Sequence, residues 1–206
     1  MASAIKTLTQ LPDVFTATAA AQLGKIKDEQ FKQVMWRWKV AGLVKPIGDR
    51  SNVYINLIVD KEVTRERWER AVQLAMPQSI LAGHGVLMRA AVMTQMASLD
   101  YLIRPPRTAS KPIDQATVQE RPLAWMKKLK HTDGAIDSSG ILPHLDPGVA
   151  IADLLLFDSG AIDPDDIEWH ELSERSTLLY RSLMAEAGVD APGPSARERH
   201  RQHGAG

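Results

Sequence analysis

The sequence predicts an α+β protein of 206 residues, with a helix-turn-helix and two-stranded hairpin in front and a mixed α/β segment behind. Three observations carry that prediction. Residues 15–57 run helix, turn, helix, Gly-punctuated bend, apolar run, polar tip and apolar run. From about residue 61, short strand-like apolar runs alternate with longer helical ones between Pro and Gly breaks. Charge is also divided: residues 1–130 hold 20 Lys and Arg against 11 Asp and Glu, whereas residues 131–190 hold only Arg175 and Arg181 against 13 acids.

The first helix carries Thr16, Ala20 and Leu23 and ends at Gly24. Asp28 can cap a second helix over 29–41, with Glu29 near the positive end of its dipole. Phe31, Val34, Met35, Trp38 and Ala41 recur at the i, i+3, i+4, i+7 spacing of a buried stripe. The opposite face then holds Glu29, Lys32, Gln33, Trp36, Arg37 and Val40, which turns a large ring outward at Trp36. Gly42 suits a left-handed helix stop, Leu43–Ile47 reads as a strand, 48–52 as a turn and Val53–Ile58 as the return strand. Two helices and a hairpin in that order make a winged helix-turn-helix, an arrangement that lays one helix in a DNA major groove.

Behind it, Thr64 can cap a helix through about Met76, which Pro77 ends. Ser79–Ala91 contains a further short helix, and Ala97–Ile103 reads as a strand before Pro105 and Pro106. Residues 104–122 read as an extended loop. Leu123–Leu129 is a helix or a strand, and 130–147 a loop. Val149–Phe157 is a buried helix started by Asp146 and Pro147, Asp163 caps a short helix at Pro164–Asp166, and Glu171–Ala187 is an amphipathic helix ending at Gly188. The expected domains are 1–60, a winged-helix DNA-binding domain, 61–190, an α/β domain, and 191–206, a disordered tail.

Composition sets limits on function. Hydrophobic content of 44% and charged content of 24% are those of an ordinary globular protein. No run of about 18 apolar residues occurs, so no membrane span is expected. The start, MASAIKTLTQLPDVF, lacks the apolar core of a signal peptide. Without Cys there are no disulfides or thiolate metal sites, which fits a reducing cytoplasm. The pairs His131-x-Asp133 and His144-x-Asp146 are too generic in spacing to mark a metal site, and His84 between two glycines reads as structural. G-x-S-x-G, G-x-x-x-x-G-K-[ST] and G-x-G-x-x-G are all absent, so no cofactor, metal or enzymatic activity is expected. The acids from Asp158 to Glu174 read chiefly as helix-start and solvated-face charges.

The basic front half instead points to double-stranded DNA. The second helix would present Lys32, Gln33, Arg37 and Lys39 to a major groove, with Gln33 suited to pair with adenine. Lys25, Lys27 and Lys45 would grip phosphates, and Thr16 and Thr18 would add hydrogen bonds. Arg50 and Asn52 would hold the hairpin to the backbone or minor groove. One such module binds weakly, so two copies on an inverted repeat are expected. The alternatives are a winged helix that holds a protein through Trp36 without touching DNA, and an enzyme that modifies a partner.

Phe15–Thr16, Leu23–Gly24, Ala41–Gly42–Leu43 with Lys45, and Asn52–Val53–Tyr54 together resemble the AbiE-type (AbiEi family) antitoxins of bacterial toxin–antitoxin systems, with a looser match through Met76–Pro77, Ser79–Gly83 and Leu87. The resemblance implies a DNA-binding autorepressor at operator inverted repeats. It also implies a second domain that counteracts a cognate nucleotidyltransferase-like toxin, directly or only functionally. An atypical kinase acting on that toxin is the enzymatic version of this resemblance, and the sequence carries no kinase motif. The acidic 131–190 segment departs from the family pattern.

Overall fold

The structure, a computed structural model, describes residues 2–26, 28–94, 100–106, 112–158 and 160–193. It is a mixed α/β chain with two sheets, compatible with the α+β class. Two compact units divide it, Met1–Ser79 with Arg107–Asp114, and Ile80–Pro106 with Gln115–Gly206.

In the first unit the order is α1 (Ala2–Thr9), β1 (Val14–Thr16), α2 (Ala17–Gly24), α3 (Asp28–Val40), β2 (Val44–Pro46), β3 (Val53–Asn56) and α4 (Arg65–Ala75). The three strands form an antiparallel sheet in the order β1-β3-β2. Leu8, Leu11, Phe15, Ala20, Met35, Trp38 and Val44 make the core, and Phe15 stacks on its cross-strand partner Tyr54 at 5.9 Å between ring centroids. The buried Asn56 amide clamps the N-terminal segment by donating to the carbonyls of Leu8 (3.0 Å) and Leu11 (3.3 Å).

Several local expectations change. Thr16, expected inside a helix, lies just before α2 and caps it, its Oγ accepting the Ala19 N–H at 3.1 Å. That helix ends at Gly24 as expected, with Lys25 after it in the left-handed conformation at φ 47, and a Cβ on Gly24 would sit 2.8 Å from Ile26 Cδ1. Ala41 is exposed because α3 ends at Val40. Gly42 does adopt φ 64, and the N–H groups of Leu43 and Gly42 close the helix on the carbonyls of Trp38 and Lys39 at 2.9 and 3.0 Å.

The first unit runs past residue 60. Helix α4, capped by Thr64, packs on β1 and β3. Its buried Arg67 donates to the backbone carbonyls of Asn56, Asp60 and Glu62, so a guanidinium stitches α4 to the segment leaving β3. Residues 112–114, expected within an extended loop, are held on this unit as well: Asp114 N–H donates to the Ile47 carbonyl at 2.8 Å, and Trp68 Nε1 donates to the Asp114 carbonyl at 3.1 Å.

The second unit contains β4 (Ile80–Ala82), α5 (Gly83–Arg89), β5 (Asp100–Arg104), β6 (Ala116–Glu120), α6 (Leu123–His131), β7 (Ile136–Asp137), β8 (His144–Leu145), α7 (Pro147–Phe157), one-turn helices at Pro164–Asp166 and Trp169–Glu171, and α8 (Glu174–Glu186). Its sheet runs β6-β5-β4-β8-β7, with parallel pairs β5–β6 and β4–β8 and antiparallel pairs β4–β5 and β7–β8. Strand β6 lies where a loop was expected, as do the two-residue strands β7 and β8, which are too short to leave a periodic signal. Leu123–Leu129 resolves as helix. Helix α8 begins at Glu174, capped by Ser173 Oγ, because Trp169–Glu171 forms its own turn. Residues 97–99 of the expected strand lie outside the described residues, as does the tail from 194 onward. Residues 191–193 are not free: the Tyr180 hydroxyl donates to the Pro192 carbonyl at 2.7 Å.

Candidate functional site

The surface of the first unit is where the sequence-derived site residues fall. Lys32, Gln33, Arg37 and Lys39 are all exposed on α3, and among the described residues the three cations make no ion pair. The arginines of α4 behave differently: Arg65 meets Glu69 at 2.8 Å, and Arg70 meets Asp13 at 3.0 Å and also Glu66. The first unit holds 14 Lys and Arg against 9 acids and the second 11 against 16. The first unit thus carries the positive excess, and among the described residues Lys25, Lys32, Arg37 and Lys39, on and beside α2 and α3, make no ion pair.

Thr18 is exposed and lines a groove of about 430 Å³ between α2 and α3, together with Gln22, Ile26 and Phe31. Lys25 is exposed at the left-handed stop of α2. The hairpin meets the start of this helix through backbone, the Asn52 carbonyl accepting the Ala17 N–H at 2.7 Å. That bond brings Asn52 beside Thr16 and Thr18. At the hairpin tip the Gly48 carbonyl accepts the Ser51 N–H at 3.1 Å, with Arg50 in the third turn position at φ 56. Positive φ at that position is type II geometry, which Gly adopts more easily than Arg. Arg50 is nonetheless fully solvated, with only an exposed Asp49 carboxylate 3.9 Å away.

Not every expected residue is equally placed. Thr16 is half-buried and its hydroxyl oxygen is committed to capping α2. Lys45 is half-buried on β2, in register with Ile55. Lys27 lies outside the described residues. Trp36 does face outward, at 62% exposure, and Val40 one turn later is 67% exposed, so the outward centre of α3 is apolar between its flanking cations.

The second unit holds a charged cluster that the sequence reading passed over. Arg121, after β6, donates through Nε to both oxygens of Asp153 at 3.0 Å and through its terminal nitrogen to Asp153 Oδ2 at 2.7 Å. It also donates to Tyr101 Oη at 3.0 Å and to Asp158. Trp125 Nε1 donates to Asp153 Oδ1 at 2.8 Å, and the guanidinium lies over the Phe157 ring at 5.2 Å. Burial pushes the Asp153 carboxyl up from the ordinary range, against the pull of Arg121. Burial, with the hydrogen bond to Asp158, raises the Tyr101 phenol to about 12. With both oxygens of the fully buried Asp153 and the Nε and one terminal nitrogen of Arg121 engaged inside it, the cluster reads as a fold-holding network. The available signal was a lone acid inside the apolar run VAIADLLLF, because a charge at such a position needs a buried partner.

The histidine pairs are occupied otherwise. Asp146 caps α7 by accepting the Gly148 N–H at 2.8 Å and also accepts from Ser176 Oγ, while Asp133 meets Arg175 at 3.1 Å. His84 Nε2 is 2.7 Å from the Ala161 carbonyl oxygen. No group of three or more His, Cys, Asp or Glu among the described residues is placed to hold a metal, and no helix among them is long and apolar enough to cross a membrane.

No protein-family model matches the chain, and no curated protein matches it. Among solved structures, the crystal structure of the RV2827C protein from Mycobacterium tuberculosis is similar, with a TM-score of 0.57 and 12% identity over 88% of this chain and 69% of that one. At that identity the likeness is one of fold alone.

Proposed function

We propose that the first unit is a winged-helix DNA-binding module and that the chain is a transcriptional autorepressor rather than an enzyme. The observation that carries the reading is the set of exposed, unneutralised groups on α3 (Lys32, Gln33, Arg37, Lys39) beside a β2–β3 hairpin whose return strand is bonded to the start of α2. The order α1-β1-α2-α3-β2-β3 with sheet order β1-β3-β2 supports it, since in that arrangement α3 is the helix offered to the groove and 47–52 the wing. In this reading Lys25, Lys32, Lys39 and Arg50 meet phosphates, Gln33 and Arg37 face base edges, and Thr18 and Asn52 add neutral hydrogen bonds. The AbiE-type resemblance extends the proposal to a cytoplasmic antitoxin that acts at inverted repeats of its own operon. There it would counteract a nucleotidyltransferase-like toxin.

The test is fluorescence anisotropy of the full chain with DNA from upstream of its own gene, against a scrambled duplex. Four phosphate-neutralising cations per copy predict a log–log salt slope of about −3.6, so affinity should fall roughly 150-fold per bound copy between about 50 and 200 mM salt. Arg37→Ala should weaken operator binding by about 1–3 kcal/mol and relax preference at one base pair. Lack of binding at low salt, or wild-type affinity in Arg37→Ala and Lys32→Ala alike, refutes the docking. A protein-contact role for α3 is the second reading, favoured by the exposure of Trp36 and Val40. In that case DNA affinity would be absent or insensitive to these substitutions.

A further inference from the structure

The β2–β3 hairpin is weakly held by its own ladder. Strand β2 lies at the edge of its sheet, is three residues long and ends in Pro46, which has no N–H to donate. A short hairpin of this kind is marginal without an added contact. Residues 112–114, from the connection between β5 and β6, supply one. The carbonyl of Ile47, the first residue of the wing, accepts the Asp114 N–H at 2.8 Å. The Asp114 carbonyl accepts the Trp68 Nε1 proton at 3.1 Å, so the segment is tied to α4 as well as to the hairpin. Ile113 is 5% exposed although Pro112 and Asp114 on either side of it are exposed, which marks a seated plug. Gly48 records how close the segment lies. It does not take a left-handed φ, but a Cβ there would overlap the Pro112 carbonyl oxygen and sit 3.0 Å from Ile113 Cα. Gln115 then follows at φ 67, and its carbonyl accepts the Asp100 N–H at 2.9 Å where β6 is about to begin. A side chain persists in that left-handed conformation only where the chain around it is fixed.

We propose that residues 112–114 are a strap that positions the wing on DNA, so that the grip of Arg50 is set by the β5–β6 connection as well as by the hairpin. The proposal rests on the DNA reading and adds to it positioning residues far from α3 in the chain. Arg50 lies two residues beyond Gly48, on a turn whose entry the strap holds through the Ile47 carbonyl. With the strap displaced, the turn keeps its sequence and charge but loses the contact that fixes its direction.

The experiment measures binding of the full chain to the duplex from upstream of its own gene across a series of salt concentrations. Four cations on phosphate give the wild type a log–log slope of about −3.6, and loss of one flattens it to about −2.7. Gly48→Ala, whose methyl group displaces the strap, should give about −2.7, as should Arg50→Ala and the two together, because both remove the same phosphate contact. Paired with Lys32→Ala on α3, Gly48→Ala should instead give about −1.8. Ile113→Ala, which removes the plug without altering the hairpin, should repeat the Gly48→Ala result. A variant that merely folds less well lowers the active fraction and leaves the slope unchanged, so the slope separates positioning from stability. Hydrogen exchange reads the strap directly: the Asp114 N–H should be protected in the wild type and exchange at least about tenfold faster in Gly48→Ala. A wild-type slope in Gly48→Ala and Ile113→Ala, with Arg50→Ala flattened, overturns the strap and leaves the DNA reading standing. An unprotected Asp114 N–H in the wild type also overturns it. Absence of DNA binding by the wild type refutes the DNA reading and this proposal with it.

Discussion

Asp153 is a side chain whose loss should damage this fold severely. It is completely buried on α7 and accepts three hydrogen-bond contacts from Arg121 and one from Trp125. Asp153→Ala leaves an Arg121 guanidinium whose side chain is 3% exposed with only Asp158 and Tyr101 as partners, and leaves the Trp125 N–H without an acceptor. Removing one member of a buried pair destabilises by about 3–5 kcal/mol, and an orphaned buried donor adds about 1–3. Asp158, 22% exposed and still paired to Arg121, offsets part of this, which sets the expected loss at about 4 kcal/mol, a large fraction of a typical domain's stability. Asp153→Asn keeps an oxygen for Trp125 and should cost about 2 kcal/mol. Replacing both partners, Arg121→Met with Asp153→Leu, removes the buried, under-compensated charge and should recover at least half of the loss. Urea unfolding read by intrinsic fluorescence supplies the comparison, with unchanged m-values required for it to be valid. A loss below about 1 kcal/mol for Asp153→Ala, or a double variant as unstable as the single one, would refute the claim that Asp153 is the main counter-charge of a buried Arg121.

Two other predictions concern ionisation and backbone strain. All three tyrosines titrate high: Tyr54 and Tyr180 because burial disfavours the phenolate, and Tyr101, for the same reason reinforced by Asp158, at about 12. A raised acid pKa means the neutral form is the folded one, so the Tyr101 contribution to stability is full below pH 10 and is lost as pH climbs from 10 through about 12. Tyrosinate absorbance should therefore not rise with the ordinary midpoint near 10, and a tyrosine titrating there in the folded protein would contradict the placement. Arg50→Gly should raise stability by about 0.5–1 kcal/mol, because Arg50 sits at φ 56 and a left-handed conformation disfavours a side chain by about 1–2 kcal/mol before glycine's extra chain entropy is subtracted. The same variant should bind operator DNA more weakly, and a lower Tm would show the turn to be unstrained.

Much of the first unit was legible because its signals are local. Period identifies α3, whose expected cap Asp28 is instead its first residue, and period with the Thr64 cap identifies α4; Gly42 takes the left-handed stop its position calls for, and the polar tip 48–52 separates two short apolar runs into a hairpin. Trp36, Gln33 and the flanking cations face outward as helical spacing requires, because side-chain direction on a helix follows from sequence separation alone. The outer-face inventory of the candidate site was thus readable, as was the division of charge along the chain.

Only the tertiary structure decided which residues meet across distance. Strands β6, β7 and β8 are too short or too weakly patterned to stand out, and exist because a neighbouring strand offers hydrogen bonds. Residues 112–114 join the first unit through two backbone carbonyl contacts that composition does not encode. Arg121 and Asp153, separated by 32 positions, become a pair only when β6 and α7 converge, and Ile5 comes to line a groove with Trp38 only when the first unit packs. Sequence determined what each helix displays, since that depends on spacing within a few residues. Packing determined which charges are buried together and which apolar faces stay open, since those depend on elements far apart in the chain.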